Sequence, residues 1–350
     1  MSKLFYKALG KKETWPELTF ANPAALTYDD VLLIPQNSSI ISRSTVDTSI
    51  KFGPYTLEKP IIAAPMDTVC GEKMIRTLSD LGAIGILPRG DINERLELCK
   101  NFTKDGIKCV YAVGLKNGLE EAKLLSENGA KIILVDVAHG GMDTVKNLAE
   151  EIKRKFKVDV IAGNIVSYDQ AKEYKEHGID YARVGVGPGG LCITRLVAGS
   201  GFSQLSAIFD TTSADIPVIA DGGIKGPGHF AKAIAAGARM VMIGSIFAGT
   251  DEAPGEVING YKVARGQASA EYMKDNGVET GEFRTAEGVS IKVPVKGPVK
   301  NIIHDLMGGL RSAMTYSGAE SIEDFQNKAV FALVSQSGRE ESKPWLSTLK

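Results

Sequence analysis

Cys192 lies in Gly187-Pro188-Gly189-Gly190-Leu191-Cys192-Ile193-Thr194-Arg195, directly after the apolar run Tyr181–Val186. A thiol at the end of a strand, on glycine-rich backbone, is placed for nucleophilic attack. A free cysteine more often only fills space, so the rest of the chain must decide. Thr194, two residues on, could face the same reacting centre, whereas Arg195 reads as an anchor for its own loop. Further along, Glu282-Phe283-Arg284-Thr285-Ala286-Glu287-Gly288 could bring a cation, Arg284, and a proton donor, Glu287, over the thiol; otherwise the run is simply a solvated loop. The other cysteines, Cys70, Cys99 and Cys109, fall in or beside apolar segments and read as packing. The four show no CxxC or Cys/His metal spacing. So few in a chain this long do not make a disulfide framework.

A second constellation is Ala220-Asp221-Gly222-Gly223-Ile224 followed by Ile243-Gly244-Ser245. Glycine lets backbone N–H groups approach phosphate oxygens, and a carboxylate beside them can accept hydrogen bonds from two vicinal ribose hydroxyls. Turn chemistry alone would also call for those glycines. Gly185-Val186-Gly187-Pro188-Gly189-Gly190 matches G-x-G-x-x-G, with Asp210 at a suitable distance. Pro188 and the residues after it do not open a helix, so the glycines are read as bending backbone around a ligand or a carbonyl-held cation. His139 is a base or a structural residue, and Met66 is core or a surface on which a base stacks.

These residues need a scaffold. From residue 60 a short β-branched run, a segment of helical period and a glycine turn recur. The strand-like runs are Pro60–Met66, Ala83–Leu87, Cys109–Val113, Lys131–Val137, Asp159–Ala162, Tyr181–Val186, Pro217–Ala220 and Met240–Ile243. Helical periodicity is clearest over Glu72–Leu81, Leu119–Asn128, Met142–Lys155, Tyr168–His177 and His229–Ala236. Eight such units predict a (β/α)8 TIM barrel in preference to a doubly wound open sheet. Residues 1–59 read as a lead-in covering one end, 60–246 as strands 1–8, 247–300 as a long active-site flap after strand 8, and 301–350 as closing helix and tail, with one barrel domain over 1–350. The barrel puts Met66, Asp136, His139, Asn164, the Cys192 loop, Asp221 and Ser245 together at the C-terminal ends of the strands.

Composition narrows the classes. With 43% hydrophobic and 24% charged residues and a net charge of -1, the chain is globular and has no basic field for nucleic acid. No apolar run is long enough for a membrane span. The first residues lack a signal-peptide core, which predicts a cytoplasmic protein.

In order along the chain, Leu26-Thr27-Tyr28-Asp29-Asp30-Val31-Leu32-Leu33-Ile34-Pro35, Ala64-Pro65-Met66-Asp67-Thr68-Val69, Ala162-Gly163-Asn164, the Cys192 loop, Ala220–Ile224, and Ile243-Gly244-Ser245 through Glu252-Ala253-Pro254-Gly255-Glu256 resemble the IMP dehydrogenase/GMP reductase family. The resemblance runs from about residue 26 to 335. It implies a purine nucleoside monophosphate substrate, a covalent bond from Cys192 to purine C2, and hydride exchange with a nicotinamide cofactor. It implies substrate contacts from Met66, Asp221, Gly222, Gly223, Gly244, Ser245, Gly266, Ser269 and Arg284, and cofactor contacts from Asp136, Ala138, His139 and Asn164. It also implies a monovalent cation, K+, on carbonyls of Gly187, Gly189 and Cys192, and a homotetramer.

Within the family, dehydrogenases usually carry an inserted pair of CBS modules, for which the short strand-to-strand gaps leave no room. Dehydrogenase flaps carry an Arg-Tyr pair that activates water, and no arginine occurs between Gly266 and Phe283. Reductase flaps use a Thr/Glu pair, onto which Thr194 and Glu287 fall. The resemblance is therefore greatest to GMP reductase with NADPH. An IMP dehydrogenase without CBS modules and a catalytically silent nucleotide-binding paralogue are the alternatives. Three stretches depart from the family pattern: Gly190 stands where a serine is common, and Ala264–Ser269 and Leu87-Pro88-Arg89 differ from the usual residues.

Overall fold

The computed structural model describes residues 25–277, 281, 283 and 285–343. Eight parallel strands close into a barrel: β1 (Ile61–Ala63), β2 (Ile84–Leu87), β3 (Cys109–Val113), β4 (Ile132–Asp136), β5 (Asp159–Ile165), β6 (Tyr181–Val184), β7 (Val218–Asp221) and β8 (Met240–Ile243). Each strand pairs with its neighbours in chain order, and β8 closes on β1 through Val241↔Ile61. The strands are short and nearly all apolar because both their faces are buried, inward on the barrel core and outward on helices.

Helices α1 (Glu72–Asp80), α2 (Ile92–Asp105), α3 (Gly118–Glu127), α4 (Asp143–Lys155), α5 (Tyr168–Glu176), α6 (Gln204–Thr211) and α7 (Pro227–Ala235) return the chain between strands. Their ends are written in the sequence. Asp91 caps α2 by accepting from Asn93 and Glu94 amides at 2.9 and 3.1 Å. Ser167 and Gln170 form a reciprocal capping box on α5.

The eight expected strands are all present, with one informative difference. β5 runs on to Ile165, past the predicted end at Ala162. Gly163 and Asn164 offer no apolar side chain to read, yet their backbone is paired: Gly163 O accepts from Val137 N at 3.1 Å and Asn164 N donates to Val137 O at 3.0 Å. The closing helix, α8 (Val299–Tyr316), starts two residues before the expected segment 301–350, directly after Pro298.

The N-terminal end of the barrel is plugged by a hairpin of Ile50–Phe52 and Tyr55–Leu57. Phe52 packs on the Tyr181 ring at 4.7 Å, and Gly53 N donates to Tyr181 Oη at 2.7 Å. The preceding strand Val31–Leu33 pairs antiparallel with Phe331–Leu333. After β8, two longer strands, β9 (Tyr261–Arg265) and β10 (Ser290–Pro294), form an antiparallel hairpin that carries the flap.

Candidate active site

Loops at the C-terminal ends of the barrel strands enclose a cavity of about 440 Å³. The loop after β6 forms one wall. It does not open a helix at its glycines; the single helical turn Thr194–Val197 begins only beyond Cys192. Cys192 N donates to Gly189 O at 3.1 Å, closing a tight turn that presents the thiol. Cys192 is half-buried, and its Sγ lies 3.2 Å from Thr194 Oγ1. Arg195 donates to Phe202 O and packs along Gly187, so it anchors its own loop as expected.

Backbone hydrogen bonds tie the flap to this loop. Ile193 N donates to Glu287 O at 2.8 Å and Val289 N to Leu191 O at 3.0 Å, while Glu287 N donates to Ala268 O within the flap at 3.0 Å. These bonds hold Thr285, Glu287 and Gly288 in the cavity wall beside Cys192 and Thr194. Gly288 is threaded between two backbones: a methyl group there would meet Ser269 N at 3.1 Å and Leu191 O at 3.3 Å.

The β7 and β8 loops form the adjoining wall. Gly222 and Gly223 have φ of 96° and 79°, a region that side chains strongly disfavour. A methyl group at Gly222 would lie 3.0 Å from Gly189 N, so the β6 and β7 loops meet there through glycine. A methyl group at Gly190 would stand 3.2 Å from Ser245 Oγ, and one at Gly244 would stand 3.2 Å from Met66 Sδ. The Ser245 hydroxyl thus fills the space beside Gly190 where a second hydroxyl would crowd it. Lys296, from the far end of the hairpin, donates to Ser245 O and Ile246 O, each at 3.0 Å, and burial holds its pKa below the ordinary lysine value. Tyr28, buried from the lead-in, sits behind Gly223. Burial, followed by the charge of Asp221, pushes its phenol pKa well up.

One side chain escapes sequence reading. Arg183, on β6, points into the barrel and is 8% exposed. Its Nε donates to Asp221 Oδ2 at 2.9 Å and its Nη1 to Asp136 Oδ1 at 2.5 Å. Burial alone would lower its pKa, but the charges of Asp221 and Asp136 outweigh that and hold it above the ordinary value. Asn164 Nδ2 also donates to Asp221 Oδ2, at 2.8 Å, and to Gly185 O at 2.6 Å. Asp136 is 3% exposed. Its Oδ2 lies 3.3 Å from Arg89 Nε, within charge attraction but not aligned as a hydrogen bond, so both atoms are buried without a hydrogen-bond partner. The signal available in advance was an arginine inside an otherwise apolar strand, where a buried charge requires a partner.

The cavity wall therefore collects Met66, Asp136, Ala138, Asn164, Gly187, Gly189, Cys192, Thr194, Asp221, Gly222, Gly223, Gly244, Ser245, Gly266 and Glu287 of the residues named from sequence. Two stand apart. Ser269 is buried, and its Oγ caps the short helix Ala270–Asp275 by accepting from Tyr272 N at 3.2 Å. His139 is exposed beside the opening and is not in the wall. Arg284 lies outside the described residues. Asp210, at the spacing of a dinucleotide fingerprint, accepts from Tyr168 N at 2.7 Å at the start of α5 and takes no part in the site. Cys70, Cys99 and Cys109 are buried, as packing residues should be. Among the described residues no group of His, Cys, Asp and Glu could hold a metal ion.

The chain matches the model for the IMP dehydrogenase / GMP reductase domain over residues 25–345. It belongs to the IMP dehydrogenase/GMP reductase family. Members of this family are oxidoreductases that work with a nicotinamide cofactor. The GMP reductase of Ligilactobacillus salivarius is 38% identical over 306 residues, 84% of this chain and 92% of that protein. The inosine-5'-monophosphate dehydrogenase of Aquifex aeolicus is 46% identical over 197 residues, 52% of this chain, but the match spans only 40% of that dehydrogenase's length. Among solved structures, a GMP reductase variant from Trypanosoma brucei in complex with guanosine 5'-monophosphate superposes with a TM-score of 0.86 at 30% identity, covering 93% of this chain and 98% of that one. These relatives share the family fold, and both of its reactions are represented among them.

Proposed function

We propose that this chain is a GMP reductase that converts GMP to IMP and ammonia with NADPH. The observation that carries the reading is the grouping of the Cys192 thiol, the Thr194 hydroxyl 3.2 Å from it, and Glu287 from the flap in one wall. A purine nucleotide enters with its phosphate on Gly223, Gly244 and Ser245 and its ribose hydroxyls on Asp221, whose Oδ1 has no hydrogen bond among the described residues while Oδ2 is held by Arg183 and Asn164. Cys192 Sγ, as thiolate, adds to purine C2. Glu287, working with Thr194, gives a proton to the departing amine as the C2–N bond breaks. NADPH supplies the hydride that C2 receives. The C2–S bond then breaks, the electron pair returns to Cys192, and IMP leaves. The balance is GMP, NADPH and one proton in; IMP, NADP+ and ammonia out.

Asp136 Oδ2, 3.3 Å from Arg89 Nε but without a hydrogen bond among the described residues, suits a donor on the cofactor, and Ala138 and Asn164 line the same cavity. Asp136, Ala138 and Asn164 would hold the nicotinamide half. Carbonyls of Gly187 and Cys192 accept no hydrogen bond among the described residues, which fits a K+ ion beside Gly189. The family resemblance supports a homotetramer, which sedimentation would test.

A dehydrogenase reading has one observation in its favour, the 46% identity with the Aquifex aeolicus enzyme over half this chain. One assay separates the two. Absorbance of the reduced cofactor falls with GMP plus NADPH if the chain is a reductase, and rises with IMP plus NAD+ if it is a dehydrogenase. Silence in both with nucleotide still bound would mean a paralogue without catalysis.

A further inference from the structure

We propose that Arg183 is a positioning residue that couples nucleotide binding to cofactor binding through the barrel interior. The inference rests on the functional reading above, in which Asp221 faces the nucleotide ribose and Asp136 faces the cofactor. Those two carboxylates come from β7 and β4 and belong to different ligands, yet one guanidinium on β6 holds both. The bridge is largely buried at the edge of the cavity: Arg183 and Asp136 are 8% and 3% exposed, and both line the cavity with Asp221. Its packing is fixed from behind, since a methyl group at Gly163 would lie 2.5 Å from Arg183 Cβ. Arg183 therefore cannot turn toward one carboxylate without withdrawing from the other.

The two ends differ in how complete they are. Asp221 Oδ2 takes Arg183 and Asn164, which leaves its other oxygen for a ligand. Asp136 has Arg183 on Oδ1 but an unpaired Oδ2 with the misaligned Arg89 beside it. A nucleotide that locks Asp221 locks Arg183, and Arg183 in turn locks Asp136 in the direction the cofactor needs. The ordering cost is met once, by whichever ligand binds first, which is positive coupling. Linkage requires the effect to be equal in both directions.

The test removes direct contact between the two ligands. Ribose 5-phosphate carries the phosphate and hydroxyls but no base, so it engages the nucleotide side without touching a nicotinamide. NADPH affinity is read by its fluorescence with and without saturating ribose 5-phosphate. In the wild type the sugar phosphate tightens NADPH binding roughly fivefold or more, the lower range of measured couplings. Arg183→Lys keeps the charge but not the two-pronged geometry, and its ratio falls to about one. Asp136→Asn removes the charge that holds Arg183 at its other end with little change of volume; it weakens NADPH binding itself, and its ratio also falls to about one, which guards against a lysine variant that does not fold.

A wild-type ratio of one, or a variant that keeps the wild-type ratio, overturns the proposal. Turnover of GMP with NADPH is scored separately. Its absence sinks the functional reading, whereas turnover with a ratio of one sinks only the coupling. A wild type that binds NADPH under neither condition overturns both.

Discussion

At the scale of single residues, the site divides the work between groups whose types are irreplaceable and groups whose positions are. Cys192 is of the first kind: only a thiol can both add to C2 and leave again. Cys192→Ala should abolish turnover while nucleotide still binds, measured by cofactor absorbance beside a binding titration; substantial remaining activity would end the covalent scheme. Glu287 is asked to deliver a proton to a leaving amine, and general acid help of this kind contributes about 10²–10⁴-fold. Glu287→Gln should lower kcat by about 10²-fold or more and leave GMP affinity nearly unchanged. Equal losses in both would mean that Glu287 only positions substrate. Arg183 is of the second kind. It lines the cavity, and its guanidinium holds the two carboxylates that face the ligands in the proposed arrangement.

At the scale of elements, the catalytic geometry depends on two loops that are joined by backbone hydrogen bonds. Leu191, Ile193, Ala268, Glu287 and Val289 exchange amide hydrogen bonds, so the flap adds to the Cys192 loop almost as a strand adds to a sheet edge. Gly288 lets them approach. Gly288→Val would push against Ser269 N and Leu191 O and lift Glu287 from the thiol. Displacement of about 1 Å costs roughly 10²-fold in rate, so kcat should fall by a factor between about ten and a hundred while the melting temperature moves little, because the barrel core is untouched. A large drop in melting temperature with kcat preserved would contradict this account. Strands β9 and β10 form a hairpin, and Gly266, Gln267, Glu287 and Gly288 between them line the cavity, with Lys296 at its base on the Ser245 carbonyl.

At the scale of the whole molecule, the barrel separates stability from chemistry by its two ends. The hairpin plug is at the N-terminal end, with Phe52 fully buried against Tyr181, and the site is at the other. Phe52→Ala should cost about 3–5 kcal/mol of stability, seen as a lower denaturation midpoint, with nucleotide affinity unchanged where the variant is folded. A parallel loss of affinity would show that the plug shapes the site. No helix among the described residues is long and apolar enough to cross a membrane. The sequence by itself determined the eight strands, because each is a short, mostly apolar run set between segments of helical period and turns. It also determined the polar ends of those strands, because function in a barrel is confined to one rim. Cys192, Asp221 and the glycine loops were legible for that reason. Only the tertiary structure decided that Ser269 caps a helix and that His139 stays outside the wall, since neither follows from residue type or spacing. It alone decided the role of Arg183, because a charge bridging β4, β6 and β7 exists only once closure brings three separate strands around one interior.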